Sequence, residues 1–394
     1  MSAIISFFFF LCLFLVFYTY IGYGIILWIA VKVKERFIPL KMVELPEVLP
    51  EVTLFISAYN EEKVVDVKME NCLSIDYPKD KLKIYWITDG STDSTNENLE
   101  KYPKATVLFQ PERRGKTAAI NRGMKSVTTP VVVFTDANTL INKEAVKEIV
   151  KAFADPRTGC VAGEKRIAVK EKDTASSGGE GIYWRYESAL KDLDSRLYSA
   201  VGAAGELFAI RTSLFEEMPE DTLLDDFVLS LRIAKRGYRI AYCKNAYAME
   251  SASLNMKEEE KRKVRIAAGG IQAVRRLRPL LNIFRYGYLS FQYISHRVLR
   301  WTITPVALFL LIPLNTALLL MQVTPVWLYQ LFAVGQILFY MIALLGWYLA
   351  HHSLQSKLLF IPYYFLFMNL NVFKGMGYLK NFRGNAVWEK AERR

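Results

Sequence analysis

An uncharged apolar run, IISFFFFLCLFLVFYTYIGYGIILWIAV, occupies residues 4–31 of the chain. It exceeds the roughly 20 apolar residues that an α-helix needs to cross a bilayer core. A secretory signal would be shorter, with a basic start and a small-residue cleavage site, so we expect residues 1–31 to be a retained transmembrane helix. Lys32 and Lys34 follow directly, and the positive-inside tendency therefore places the next segment in the cytoplasm.

The C-terminal part is also apolar. Residues 301–321 and 326–350 are each long enough to cross a membrane and are joined by a short turn, which predicts a hairpin of transmembrane helices. The run at residues 358–373 is shorter and contains asparagines, so a further crossing stays open, and we assign residues 301–378 to transmembrane helices as a whole. A basic cytosolic tail, residues 379–394, follows.

Charge and composition limit the class of protein. The chain is 52% hydrophobic and has a formal net charge of +12. Its basic residues concentrate beside the spans, above all in residues 261–300, which we expect to form basic amphipathic interfacial helices on anionic head groups. This distribution favours a multi-pass protein of the inner or plasma membrane in contact with the lipid bilayer, and no nucleic-acid partner is expected.

Cysteine and histidine usage narrows the chemistry. The four cysteines lie far apart without a CxxC pair, which argues against a disulfide framework or a zinc site and agrees with a reducing compartment. The three histidines all lie at or after position 296. A general base or metal ligand in the polar central part must therefore be a carboxylate, an amide or a hydroxyl.

The central segment, residues 52–260, follows a proline-containing linker at residues 32–51 and has the size of one domain. Short β-rich runs such as VTLFISAY and PVVVFTDA alternate with helical-length polar stretches. This alternation predicts an α/β fold with a mostly parallel sheet, whose ligands bind beyond the carboxyl ends of the strands.

Polar motifs follow several of these strands. ISAYNEE at residues 56–62 and ITDGSTDST at residues 87–95 can bind a ligand at the sheet edge, although each alone is explained as well by helix capping. RRGKTAAIN at residues 113–121 puts a Gly-Lys pair at a helix start, where free N–H groups attract phosphate. The spacing of a P-loop is missing.

Two further motifs supply carboxylates. In FTDANT, Asp136 and Asn138 are two residues apart, so both oxygen-bearing side chains point the same way in an extended segment. Such a pair suits magnesium or manganese (Mg²⁺ or Mn²⁺), with a turn cap as the alternative. Asp225 and Asp226 lie at a helix start, where one carboxylate is explained by capping but two are better explained by a general base.

With these motifs in this order, the chain resembles the membrane-embedded inverting glycosyltransferases of family 2, which include cellulose, chitin, hyaluronan and poly-N-acetylglucosamine synthases. The resemblance runs from the first span to the basic tail. It implies a cytosolic GT-A (nucleotide-diphospho-sugar transferase) domain. It also implies transfer of a sugar, usually UDP-linked, to a hydroxyl acceptor with inversion, in polysaccharide or exopolysaccharide synthesis.

The resemblance also implies roles for individual residues. The nucleoside would be held by Ala58, Tyr59, Glu61 and Asp89, and the diphosphate would face Lys116 and Arg265. The metal would be bound by Asp136 and Asn138, and the acceptor site would be shaped by Gly202, Gly205 and Glu206. The base would be Asp226, beside Asp225. We add Trp184 as an aromatic that could stack on a sugar, although such residues more often pack in a core.

One motif of the chain differs from the pattern of the family. The processive members of the family carry Gln-x-x-Arg-Trp. Alignment of this chain on Arg265 puts Arg262 in place of the Gln and Ile266 in place of the Trp. Processive synthesis with accessory export subunits is one hypothesis. Transfer of a single sugar to a lipid or lipid-linked acceptor is a second, which the missing residues favour. A non-catalytic membrane partner subunit or transporter is a third, against which both key carboxylates count.

Overall fold

The computed structural model describes residues 1–39, 43–168, 175–251, 255–351 and 357–382. Most of the expected basic tail, residues 383–394, lies outside this part of the chain. The helices are α1 Ser2–Phe17, α2 Tyr23–Phe37, α3 Val65–Leu73, α4 Thr95–Glu100, α5 Lys116–Met124, α6 Ala145–Ala152, α7 Ala175–Leu197, α8 Asp225–Lys235, α9 Met256–Arg276, α10 Ile283–Tyr286, α11 Tyr288–Tyr293, α12 Leu299–Trp301, α13 Ile303–Leu320, α14 Val326–His351 and α15 Lys357–Asn381. One π-helical turn, Tyr18–Gly22, joins α1 to α2.

In the described part of the chain, eight strands form one sheet. They are β1 Val52–Ala58, β2 Leu82–Asp89, β3 Ala105–Gln110, β4 Val131–Asp136, β5 Leu140–Ile141, β6 Thr158–Ala168, β7 Leu207–Arg211 and β8 Arg239–Ser251, in the order β3-β2-β1-β4-β7-β6-β8-β5. The β3-β2-β1-β4 half is parallel throughout, and β7 lies antiparallel to both β4 and β6. The expected α/β fold with a mostly parallel sheet is confirmed.

Strand β4 is buried on both faces. Val132 and Phe134 belong to the core on one side of the sheet, whereas Val131 and Val133 belong to the core on the other side. This explains the uninterrupted apolar sequence of the strand, since both faces pack against protein. The strand ends at Asp136, which lies beside Ser57 of β1, so its carboxylate reaches the edge of the sheet where the parallel strands end.

Three helical segments of the described chain are long and apolar enough to cross a membrane: residues 2–37, 303–320 and 326–350. They include the N-terminal span and the hairpin that the sequence predicts. α1 packs against α13 through a small core in which Phe9, Cys12 and Leu311 are buried. α15 is not among the three, and the domain boundaries inferred from the sequence stay a prediction.

Polar contacts join the α/β domain to the first helix. At the end of α7, the Arg196 guanidinium forms an ion pair with Glu35 at 2.7 Å, and the Lys34 ammonium donates to the backbone carbonyls of residues 196 and 197. Two residues before Arg196, the buried carboxylate of Asp194 accepts a hydrogen bond from the Tyr23 hydroxyl of α2. α7 is therefore held to α2 by several hydrogen bonds at once.

The same helix also binds the segment before the second span. Asp194 contacts Nδ1 of His296 at 2.6 Å, and Glu187 forms ion pairs with Arg297, at 3.0 Å, and with Arg300. His296 is fully buried and Arg300 is 9% exposed. From their place in the sequence we expect the basic residues of this segment to face lipid head groups. His296, Arg297 and Arg300 instead pack inside the protein, because α7 offers them buried carboxylates.

Candidate active site

A cavity of about 660 Å³ opens where β1, β2 and β4 end, and it continues between α7, α9 and α15. Nearly all the residues proposed from the sequence line it, namely Ala58, Tyr59, Glu61, Asp89, Lys116, Asp136, Asn138, Trp184, Gly205, Glu206, Asp225, Asp226 and Arg265. The exception is Gly202. Residues that are far apart in the sequence thus line one cavity.

Asp89 organises the loop that leads into α5. It is 5% exposed, and its carboxylate accepts hydrogen bonds from the backbone N–H groups of Arg114 and Gly115, the latter at 2.6 Å. Gly90 has φ +68°, and a Cβ there would lie 2.6 Å from the backbone N of Arg113. Only glycine fits this close approach, and the Asp89 carboxylate thereby fixes the start of α5.

The two polar loops after β1 and β2 bind each other. The backbone N–H of Glu61 donates to Thr95 Oγ1 at 2.8 Å, and that of Glu62 donates to Asp93 at 3.1 Å. At the mouth of the cavity, the Arg113 guanidinium lies 3.6 Å from the centre of the Tyr59 ring. These contacts hold an aromatic ring and a cation together, an arrangement suited to bind a nucleobase and the phosphates attached to its nucleoside.

Lys116 lies between the carboxylates of two elements. Its ammonium donates to Asp136 Oδ1 at 2.7 Å. A Cβ on Gly205 would lie 3.3 Å from Lys116 Nζ and 3.4 Å from Asp226 Oδ2, so the Lys116 ammonium and the Asp226 carboxylate both lie next to Gly205. Burial disfavours the ammonium, but Asp136 and Asp225 outweigh burial and raise the pKa of Lys116 above its ordinary value. Lys116 is therefore a permanent cation in this site.

Asp225 and Asp226 begin α8. Asp225 is 8% exposed, whereas Asp226 is partly exposed and accepts a hydrogen bond from the backbone N–H of Phe227 at 2.8 Å. Burial and then the neighbouring Asp225 raise the pKa of Asp226 to about 7, against the opposing effect of Lys116. A carboxyl group with this pKa can take up a proton at neutral pH, which is the property of a general base.

Gly202 lies behind the site. It has φ +85°, and a Cβ there would come within 2.2 Å of the Phe227 ring. It therefore does not line the cavity with the other acceptor candidates, and instead lets the ring that follows Asp226 pack closely. Glu206 does line the cavity, and it shares Lys165 with Glu250.

The donor atoms at the end of β4 fit a divalent cation. Asp136 is about one-third exposed, at 30%, and Asn138 lines the same cavity, so a carboxylate and an amide carbonyl face it together. No group of three or more His, Cys, Asp or Glu residues in the described ranges is arranged to hold a metal. One carboxylate is nevertheless sufficient for Mg²⁺, which usually keeps several waters and binds substrate phosphates.

The far end of the cavity contains residues that sequence reasoning missed. Tyr20, Glu187, Lys191, Arg297, Arg300 and Trp301 all line it. The one signal was the mixture of aromatic and basic residues at positions 284–301, which we assigned to the membrane interface. Arg262, Arg265 and Ile266 of the departing motif line the cavity too, and Trp184 and Trp301 supply indole rings although position 266 does not.

The α9 helix reaches this cavity because it carries small residues. A Cβ on Gly269 would lie 2.6 Å from the Leu224 side chain, and one on Gly270 would lie 2.3 Å from the Trp301 ring. Leu224 directly precedes the two aspartates of α8. The close approach of α9 therefore supports the start of α8, where Asp225 and Asp226 lie.

Comparison with known proteins agrees with this arrangement. Residues 53–218 match the family model described as Glycosyl transferase family 2. The probable glycosyltransferase YdaM of Bacillus subtilis (strain 168) is 30% identical over 264 residues, which are 64% of this chain and 62% of that protein. The poly-beta-1,6-N-acetyl-D-glucosamine synthase of Staphylococcus aureus (strain COL) is 28% identical over 240 residues, 58% of this chain and 56% of that protein.

The alignments thus span less than two thirds of each relative. Among solved structures, the mannosyltransferase PcManGT from Pyrobaculum calidifontis, in complex with GDP-Man and Mn²⁺, superposes with a TM-score of 0.69 at 22% identity. The match covers 95% of this chain and 99% of that one, and it establishes a common GT-A fold. Residues 53–218 are therefore similar to glycosyl transferase family 2, and the chain has the GT-A fold, joined to helices that are long and apolar enough to span a membrane.

Proposed function

We propose that the protein is an inverting glycosyltransferase that moves a sugar from a nucleotide-diphospho-sugar, expected to be UDP-linked, to a hydroxyl acceptor. It acts at the cytoplasmic face of the membrane, in polysaccharide synthesis. The observation that carries the proposal is the meeting of Asp136, Lys116 and Asp226 around Gly205 in one cavity. The relation to poly-β-1,6-N-acetylglucosamine synthases supports the product class.

The reaction is an in-line displacement at the anomeric carbon. Asp226 takes the proton of the acceptor hydroxyl, whose oxygen forms the new bond to the anomeric carbon. The bond from that carbon to the phosphate oxygen breaks, and its electron pair leaves with the nucleoside diphosphate. Attack opposite the leaving group inverts the configuration, so that an α-linked donor gives a β-linkage.

The chain neutralises the leaving diphosphate from two sides. Lys116 lies at the helix start of α5, where free N–H groups add to its charge, and Arg265 lines the cavity from α9. Asp136 and Asn138 would hold a divalent cation, which supplies charge stabilisation to the departing phosphates when bound. When the donor binds, Lys116 can exchange its contact with Asp136 for one with phosphate.

The direct test offers the purified full-length protein a panel of UDP- and GDP-sugars with Mg²⁺ or Mn²⁺. Released nucleoside diphosphate measures donor use, and NMR of the product gives the configuration of the new bond. We expect release with one donor and a β-linked product. Absence of release with every donor, or retention of configuration, would contradict the proposal.

Replacing Asp136 by asparagine is expected to reduce turnover by about 100-fold, since the charge stabilisation that a metal provides is worth several kcal/mol. The variant should also lose Mn²⁺ binding in calorimetry, because an amide is a weaker ligand than a carboxylate. Asp80→Asn, at an exposed position, is the control and should change neither quantity. Unchanged Mn²⁺ affinity in Asp136→Asn would remove the metal assignment.

Two other functions remain distinguishable. Transfer of a single sugar to a lipid or lipid-linked acceptor is favoured by Arg262 and Ile266 in the departing motif, and product length separates it from polymer synthesis. A ladder of products supports the polymerase, and a single addition supports the alternative. A non-catalytic partner subunit would release no nucleoside diphosphate with any donor.

A further inference from the structure

The cavity is most basic in the part that lies between α7, α9 and α15. Helix α9 lines it with four cationic residues within five positions, Lys261, Arg262, Lys263 and Arg265. Lys261 forms an ion pair with Glu258, and Arg262 and Lys263 share Glu259. None of the ion pairs of the described chain includes Arg265, and its buried Nε has no hydrogen-bond partner there. A cationic side chain that lines a cavity and has no ion-pair partner there favours an anionic ligand.

The indole of Trp184 marks the centre of this basic region. Within 6.0 Å of its ring lie cationic groups from three elements, Lys165 of β6, Lys191 of α7, and Arg262 and Lys263 of α9. Lys165 also contacts Glu206, the residue that follows Gly205. The basic region therefore begins directly beside the point where Lys116 and Asp226 meet.

Lys191 is the cationic residue best placed to bind an anionic ligand. It lines the cavity and is 4% exposed, yet no ion pair of the described residues includes it. Its neighbour Glu187 forms ion pairs with Arg297 and Arg300 instead. Burial, and then the charge of Arg297, lower the pKa of Lys191. A buried lysine in this position gains most from a ligand that carries negative charge.

An apolar wall stands beside these cations. Ile361, Phe365, Met368 and Val372 of α15 all line the cavity. Their spacing of four, three and four residues puts them on one face of the helix. A ligand that satisfies both surfaces has an anionic group for the lysines and arginines and an apolar chain for α15.

We propose that the acceptor is a saccharide linked through phosphate to a lipid, with Lys191 binding the phosphate and the apolar face of α15 contacting the lipid chain. This inference rests on the proposed function and names its acceptor. The sugar hydroxyl lies at Asp226, next to the basic region. The phosphate linkage of the acceptor is bound but not broken in the reaction.

The test measures binding rather than catalysis, with the full-length protein in nanodiscs of phosphatidylcholine, a lipid without net charge. Three probes are compared by calorimetry: farnesyl phosphate, farnesol and glucose 1-phosphate. Farnesyl phosphate is expected to bind at least tenfold more tightly than either of the others, since it alone has both the anion and the apolar chain.

Lys191→Gln should weaken farnesyl phosphate binding by about tenfold, the effect of losing one charge-assisted hydrogen bond. Its farnesol binding should not change. Arg185→Gln, which removes an exposed cation from the same helix, is the matched control and should bind farnesyl phosphate like the wild type. A thermal midpoint for Lys191→Gln at or above that of the wild type confirms folding, because the substitution removes a buried charge.

Two results would overturn the inference. Farnesol binding as tight as that of farnesyl phosphate would mean that the cations do not hold the phosphate. Glucose 1-phosphate binding as tight as that of farnesyl phosphate, with the same dependence on Lys191, would replace the lipid by a soluble phosphosugar. Both results are independent of nucleoside diphosphate release, so failure of this inference and failure of the proposed function are told apart.

Discussion

Asp226→Asn is expected to fold normally and to turn over about 10² to 10⁴ times more slowly than the wild type, the usual contribution of a general base. Asparagine keeps the shape of the side chain and accepts the hydrogen bond from the Phe227 N–H, but it cannot take a proton. Release of nucleoside diphosphate at saturating donor and acceptor measures the loss. Glu220→Gln, at an exposed carboxylate paired with Arg114, is the control and should retain full activity.

The pH dependence gives a second measurement of the same group. Because the pKa of Asp226 is raised to about 7, kcat/KM of the wild type should rise as the pH increases through about 7, where the carboxylate forms. Asp226→Asn should lack this rise. Normal turnover or an unchanged pH profile in the variant would exclude Asp226 as the base.

The stability of the fold should respond to the same pKa with the opposite sign. The folded protein holds the Asp226 proton more tightly than the unfolded chain, whose pKa is near 3.8. Folding stability from this group is therefore present at low pH and is lost as the pH rises from 3.8 to about 7. At pH 8 the asparagine variant should thus unfold at an equal or higher temperature than the wild type.

Glu187→Gln is expected to destabilise the fold by about 3–5 kcal/mol, the cost of removing one partner from a buried ion pair. Glu187 is 1% exposed and forms ion pairs with Arg297 and Arg300. Burial opposes its charge, but the two arginines and His296 outweigh burial and hold the pKa of Glu187 well below its ordinary value. Its contribution to stability is present above pH 4.5, and it is lost as the pH falls below that.

Thermal unfolding of the full-length protein in detergent measures this effect, and the midpoint should fall by roughly 10 °C. Asp192→Asn is the matched control on the same helix. It removes a carboxylate that is 40% exposed and pairs with Arg196 at 3.0 Å, and such surface pairs contribute at most about 1 kcal/mol. Equal midpoints for the two variants would show that the buried cluster does not hold α7 in place.

The sequence predicted the parallel half of the sheet because its strands carry their own signals. Continuous apolar runs that end in polar residues fix both the strands and the edge where ligands bind, so Asp89 and Asp136 were found from local patterns. The metal and base assignments depended on the family resemblance as well. They stay predictions, although the cavity brings Asp136 and Asp226 together.

Local sequence patterns did not reveal the part of the cavity that lies between α7, α9 and α15. Strands β7 and β8 and helix α7 were not recognised, since β7 is short and β8 alternates polar and apolar residues only in part. The partners of Glu187 lie more than 100 residues later in the chain. Such pairings are set by how helices pack in three dimensions, and a cationic residue has the same sequence signature in a lipid interface as in a cavity.

The hydrogen bonds between α7 and α2 make the first helix specific to this protein. A chimera with a foreign first helix would lack Tyr23, Lys34 and Glu35, so Asp194 and Arg196 would lose contacts that a generic apolar helix cannot replace. Because α7 also carries Lys191 and Trp184, exchanging the anchor alters the chamber where the acceptor is expected to bind. The first helix is thus an integral part of the unit that contains the candidate active site, and a generic apolar helix cannot replace it.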